Sequence, residues 1–220
     1  MKYGNYLLMI AAIAVTLFGG CKKDEPAAAP DLGHAYFPAT IGSWIEYHVD
    51  STRVIGETVN EWSYDIREVL TENFSDLEGR PAQRVIRYTR DADSIWQPKD
   101  VWWQTRDKVR AERSEENMRR VKLVFPPRYS SFWNTNATNT SAPFELTYDE
   151  IDVPWNVNNL SFDSTVLVIG TYETNLVNSK IYMERYAKNV GMVYREVDSS
   201  ETQGTVDRWK VVYTATSFGQ

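Results

Sequence analysis

In run after run between Trp44 and Thr216, apolar residues recur at every second position, a period that suits a half-buried strand and little else. Ile45, Tyr47 and Val49 alternate with Glu46 and His48. Trp62, Tyr64 and Ile66 face away from Glu61, Ser63, Asp65 and Arg67, and Val69 then falls out of phase, which predicts a bulge near Arg67. Residues 83–90 resume the alternation with Ile86 and Tyr88 inward. Residues 108–113 and 119–125 read as a hairpin. A helix is the rival there, since Glu and Arg are good helix formers, but Val121, Leu123 and Phe125 keep period two and Pro126-Pro127 stops the run. Residues 165–172 are apolar on both faces, and 192–197 with 207–216 make a final pair. The Asn-, Ser- and Thr-rich stretch 129–160 reads as a long loop with a short strand at 144–148. A helix is expected at 179–189, where Tyr182, Arg185 and Tyr186 recur at helical spacing before Gly191. Nine or ten strands, one helix and no alternating strand-helix units imply a mainly β chain. The expected fold is one antiparallel, strongly curved sheet or open half-barrel with that helix against it; a β-sandwich is the alternative.

The N-terminus carries an address. Lys2 precedes the apolar segment from Tyr6 to Phe18, which is far shorter than the ~20 residues needed to span a membrane. Leu17-Phe18-Gly19-Gly20-Cys21 resembles the bacterial lipobox, with Phe18 where an aliphatic residue is usual. The resemblance implies a lipidated Cys21. Cys21 is also the sole cysteine, so no intramolecular disulfide can form, and acylation would consume an otherwise reactive exported thiol. Lys22-Lys23-Asp24-Glu25 resembles the lysine-plus-acids signal that sends some Bacteroidetes lipoproteins to the cell surface, and Pro26-Ala27-Ala28-Ala29-Pro30 is an extended leash. The expected organisation is a signal peptide at 1–20, a tether at 21–33 and a single β-rich domain at 34–220. The expected location is the outer membrane, at the cell surface, with the periplasmic leaflet as alternative.

Charge argues against a nucleic-acid partner. The chain carries −6, and −7 once the leader with Lys2 is removed, whereas phosphate binding needs a concentrated basic face. The arginines between Arg106 and Arg120, interleaved with Glu112, Glu115 and Glu116, read as a solvated strand face.

Catalytic motifs are scarce. His34 and His48 are the only histidines and have no cysteine partner, which gives poor support to a zinc site or a histidine-centred triad. Asp91-Ala92-Asp93 and Asp149-Glu150-Ile151-Asp152 lack the spacing of a calcium loop, and no Gly-rich phosphate loop is present. No metal, cofactor or catalytic residue is therefore expected. The aromatic residues Trp102, Trp103 and Trp133 are candidates for ligand binding. Adjacent strand residues point to opposite faces, so one of Trp102 and Trp103 can pack inward while the other meets a sugar or an apolar ligand.

Several segments together resemble a group of Bacteroidetes surface lipoproteins of uncharacterised function. They are Tyr36-Phe37-Pro38 with Gly42-Ser43-Trp44, the run from Lys122 to Pro126 followed by Trp133-Asn134, and the run from Glu184 to Glu196. The group has no settled catalytic residues, so the resemblance carries none over to this chain. The expected function is a membrane-anchored, non-catalytic lipoprotein whose β-domain binds a protein or glycan ligand. A lipid-binding half-barrel carrier and a surface hydrolase of glycans or peptides are the alternatives. Replacing Cys21 by Ser is expected to abolish metabolic palmitate labelling and to move the protein from the membrane to the soluble fraction; unchanged fractionation would contradict the address.

Overall fold

The computed structural model describes residues 30–90, 95–170, 173–174, 177–202 and 204–220; Cys21 lies outside them. Within the compact unit Asp31–Gln220, thirteen strands form one sheet. They are β1 (Trp44–Ile55), β2 (Thr58–Ser75), β3 (Pro81–Arg90), β4 (Gln97–Arg106), β5 (Arg110–Glu115), β6 (Met118–Val124), β7 (Phe132–Asn134), β8 (Glu145–Val157), β9 (Leu160–Gly170), β10 (Glu173–Thr174), β11 (Asn178–Ala187), β12 (Gly191–Glu201) and β13 (Asp207–Gly219). The order across the sheet is β6-β5-β4-β3-β2-β1-β13-β12-β11-β9-β8-β7, with β10 on β11. All pairs are antiparallel. The first and last strands pair at the centre, and the sheet curls until its two edges meet in a nearly closed barrel.

Side chains close that seam. Tyr148 OH donates to Val124 O at 2.7 Å and accepts from Val124 N at 3.1 Å. Trp133 Nε1 and Thr135 Oγ1 donate to Val121 O at 3.1 and 3.0 Å, and Val121 N donates to Thr135 O at 2.9 Å. Thr138 and Asn139 both reach Arg119 O. The β6 edge, which could template another chain, is thereby covered.

One mouth of the barrel is plugged by the start of the domain. Gly33, at φ 77°, turns the chain into a single 3₁₀ turn, His34–Tyr36. A Cβ on Gly33 would stand 2.7 Å from Pro127 Cδ, so a side chain is excluded as much by contact as by φ. Tyr36 and Phe37 are buried, and Phe37 packs on the Tyr186 ring and under Arg113. Arg106 Nη1 donates to His34 O and Phe37 O at 2.5 and 2.7 Å, Gln104 Nε2 to Pro38 O at 2.8 Å, and Asn189 N to Ala35 O at 2.7 Å.

The structure corrects several expectations. Residues 179–189 are not helix but fall mostly in β11; Tyr182, Glu184 and Tyr186 are all buried at period two, and Asn189 at φ 64° turns the chain into β12. The stretch 129–160 holds the thirteen-residue β8 rather than mostly loop. In β3 the buried residues are Ala82, Gln83, Val85 and Arg87, and Ile86 and Tyr88 are only half-buried. The irregularity predicted near Arg67 lies between Leu70 and Glu72. Arg113, Glu112 and Glu115 are not solvated; each is buried among opposite charges. In β3, in β11 and at Arg113, Glu112 and Glu115 a charged residue sits where hydrophobicity patterning assigns an apolar one.

The seam yields a prediction. Tyr148→Phe removes both bonds to Val124 and is expected to lower stability by ~1–3 kcal/mol, the cost of leaving buried polar groups unpaired, read as a lower urea midpoint at unchanged m-value.

Candidate functional site

The barrel interior is a salt. Cross-strand register sets Glu68 opposite Arg87, Arg87 opposite Asp100, Gln104 opposite Arg113, and Glu184 opposite Arg195. Arg87 Nε meets Glu68 Oε1 at 3.1 Å and its Nη1 meets Asp100 Oδ2 at 2.8 Å. Further contacts extend the network: Arg113 to Glu68 at 2.8 Å, Lys122 Nζ to Glu184 Oε1 at 2.5 Å and to Glu115 on the neighbouring strand at 3.4 Å, and Arg195 to Glu115 at 3.2 Å. Four acids thus face four bases, and the network itself carries no net charge. Tyr186 OH completes the Glu184 shell, while Trp102 lies under Arg87, whose Cζ is 3.7 Å from the ring centroid.

Burial by itself would raise the Glu115 and Glu184 carboxyls, but Lys122 and Arg195 outweigh it and hold both below the usual carboxylate range. Burial likewise lowers Arg113 and Arg195, yet Glu68 at the first and Glu115 at the second more than compensate, and both guanidinium groups stay charged. Burial drives the Tyr47, Tyr182 and Tyr186 phenols well above their ordinary value. Glu115, Glu184, Arg113 and Arg195 are thus all charged around neutrality. The cavity beside the plug, between Phe37, Met192, Glu68 and Arg113, measures about 40 Å³, room for roughly two or three waters.

Outside the barrel, β1 and β2 bring together three side chains that sequence reasoning left apart. His48 Nδ1 is 2.9 Å from Asp65 Oδ1 and its Nε2 is 2.8 Å from Ser63 Oγ, the connectivity of a hydrolytic triad. Asp50 also reaches Nε2, at 3.5 Å. The signal lay in Ser63 and Asp65 standing two apart on the polar side of one strand with His48 on the polar side of its partner. Three features tell against chemistry there. Ser63 is exposed and the His48 side chain is 46% exposed, so water screens each charge. The second carboxylate competes for the nitrogen that would take the serine proton. Strand N–H groups lie in the plane of the sheet, not out of the face where Ser63 Oγ stands, so Ser63's own strand directs no donor at an oxyanion formed there.

Of the tryptophans singled out in the sequence, Trp102 is buried with Leu70 and Val85, and its Nε1 lies 3.3 Å from Glu116. Trp133 is buried in the seam, its ring 5.0 Å from Tyr148. Trp103 is half-buried, edge-on to Phe74. The structure does not bring the three together. The exposed tryptophans are Trp62 and Trp209, on strands that flank β1. Among the described residues no group of three or more His, Cys, Asp or Glu side chains is placed to hold a metal ion.

Neither a protein-family model nor a curated protein sequence matches the chain. Two solved structures are similar to it. One is a Bacteroides fragilis protein of YMCC-like fold described as exported, at 11% identity and a TM-score of 0.42, covering 82% of this chain and 98% of that one. The other is an S-type phycobiliprotein lyase from Guillardia theta, at 9% identity and 0.29, covering 86% and 99%. At such identities neither likeness carries over a function.

The ion network sets a stability test. Glu184→Gln leaves Lys122 only the longer ion pair with Glu115 and is expected to cost ~3 kcal/mol, whereas the double variant Lys122→Met/Glu184→Leu loses much less. Because the folded carboxyls titrate below their unfolded value of ~4.3, the stabilisation they bring is complete above that pH and declines as pH falls through the folded values. Urea midpoints between pH 7 and pH 3 should therefore drop with acid, and drop less steeply in the double variant.

Proposed function

We propose that this chain is a lipid-anchored envelope protein, held at the outer membrane through Cys21 on the cell-surface side, whose β-domain binds a ligand and performs no chemistry. The observation that carries this reading is the occupied interior. Eight charged side chains and the plug at 31–38 fill the space in which a barrel would otherwise hold a small molecule or a reacting group. Recognition is left to the outer surface and the unplugged end. The lipid-carrier alternative needs an apolar hollow, and a cavity of about 40 Å³ beside Glu68 and Arg113 has no room for an acyl chain. The hydrolase alternative has one constellation to draw on, Ser63-His48-Asp65, which is exposed on a flat strand surface.

A fluorophosphonate probe separates binding from hydrolysis. The intact protein is expected to show no labelling above that of a Ser63→Ala variant under conditions that label a serine hydrolase to completion. Stoichiometric modification of Ser63 would overturn the binding reading.

A further inference from the structure

The sheet face that carries the ion network continues past it. Register lays three rows across β11, β12, β13, β1 and β2. The first, Glu184-Arg195-Tyr213-Val49-Tyr64, belongs to the interior. The second is Tyr182-Val197-Val211-Ser51-Trp62. The third, Lys180-Ser199-Trp209-Arg53-Asn60, lies where β2 is exposed at every position from Thr58 to Ser63 and the sheet has left the barrel body. Positions that are core in the first row become surface in the third. Trp62 is 53% exposed and Trp209 38%. They stand on either side of β1, one row apart, which puts their Cα atoms about 12 Å from each other at strand spacing. Between and beside them are hydrogen-bonding groups: Ser51, Asn60, Ser199 and the Arg53–Asp207 pair, whose Nη2 to Oδ2 distance is 2.6 Å.

At the β11 end of the third row, Lys180 opens on a cleft of about 620 Å³ that it shares with Arg120, Asn136, Ser141 and Phe144. Lys180 Nζ lies 4.0 Å from the Phe144 ring centroid. Arg120 Nε is buried with no hydrogen-bond partner, and no described carboxylate lies within ion-pair distance of either cation. Glu145, which also borders the cleft, has an interaction of its own. Among the described residues neither cation is in an ion pair, in contrast to the arginines and lysine of the interior network, which are all paired.

We propose that this face binds an acidic oligosaccharide, with sugar rings stacked on Trp62 and Trp209 and a carboxylate or sulfate group held by Arg120 and Lys180. Trp and Tyr rings offer a flat apolar face with a polar edge, which suits the C–H face and hydroxyl rim of a pyranose. From Trp62 in the second row through Trp209 to Lys180 in the third, the distance across the strands is about 20 Å, the reach of a short oligosaccharide. The interleaved Ser, Asn and Arg–Asp groups do not suit an apolar ligand. A nucleic acid would also stack and pair, but its phosphate run needs many more cations than two.

This inference rests on the binding reading and names its ligand class. The test is isothermal titration of the intact protein with tetragalacturonate, a chondroitin sulfate tetrasaccharide and a sialylated tetrasaccharide, with neutral cellotetraose and a single-stranded DNA oligonucleotide as controls. At least one acidic sugar is expected to bind more tightly than both controls. Trp62→Ala and Trp209→Ala are each expected to weaken it about tenfold, and Arg120→Gln with Lys180→Gln to bring it to the level of cellotetraose. All four positions lie on the exposed face or its cleft, and unchanged urea midpoints will verify that the variants fold. Failure of all three acidic sugars to bind, or binding indifferent to Trp62 and Trp209, overturns the inference. Capture of a polypeptide that Trp209→Ala abolishes would also overturn it while leaving the binding reading intact; fluorophosphonate modification of Ser63 would overturn that reading itself.

Discussion

Lys122 and Glu184, 2.5 Å apart inside the barrel, impose the condition that the rest of the fold obeys. Removing an ion from water costs several kcal/mol even after relaxation. An interior ammonium therefore requires a carboxylate, that carboxylate recruits Arg195, and Arg195 reaches Glu115. The same logic runs through Arg113, Glu68, Arg87 and Asp100 on the other wall. Apolar residues of equal volume could hold the sheets together as firmly. They would not discriminate as sharply between registers, because a one-residue slip of β11 against β12 would turn Glu184 to the outer face, away from both Arg195 and Lys122.

That condition also explains which parts of the fold were legible in the sequence. Strand existence was plain wherever apolar residues alternated with polar ones, as at Ile45, Tyr47 and Val49, and the antiparallel single sheet followed from the absence of strand-helix units. Facing was not legible where the interior itself is charged. Arg87 points inward, so the apolar Ile86 and Tyr88 were assigned to the wrong side. In β11 the inward set is Tyr182, Glu184 and Tyr186, and with the acid discounted the remaining Tyr182, Arg185 and Tyr186 imitate a helical stripe. Sites suffered for a different reason. Ser63, His48 and Asp65 meet only through the β1–β2 register, and Trp62 and Trp209 are exposed only because their strands outrun the barrel, a matter of length that alternation does not report.

The seam and the extended strands show one alternation rule serving opposite ends. On β1, β2 and β13 the inward positions are core at Val49, Ile66 and Ala215, and the same face becomes solvent-exposed at Trp62 and Trp209. On β6, which has no strand partner on its outer edge, Tyr148, Trp133 and Thr135 supply the hydrogen bonds that a ladder would have made. Closure by side chains costs the barrel nothing in edge protection and leaves the cleft at Arg120 beside the join.

The N-terminal plug has a mechanical corollary. Tension arriving along the backbone from upstream of Asp31 would be met first by the grip of Arg106 on His34 and Phe37 and of Asn189 on Ala35. Were those contacts to yield, the next element in line is β1, clamped between β2 and β13, so that two ladders would have to slide at once. Were the domain hung by its N-terminus, it would meet shear with a sacrificial fastening ahead of a doubly zipped strand, and it could give way at the mouth without unravelling the sheet.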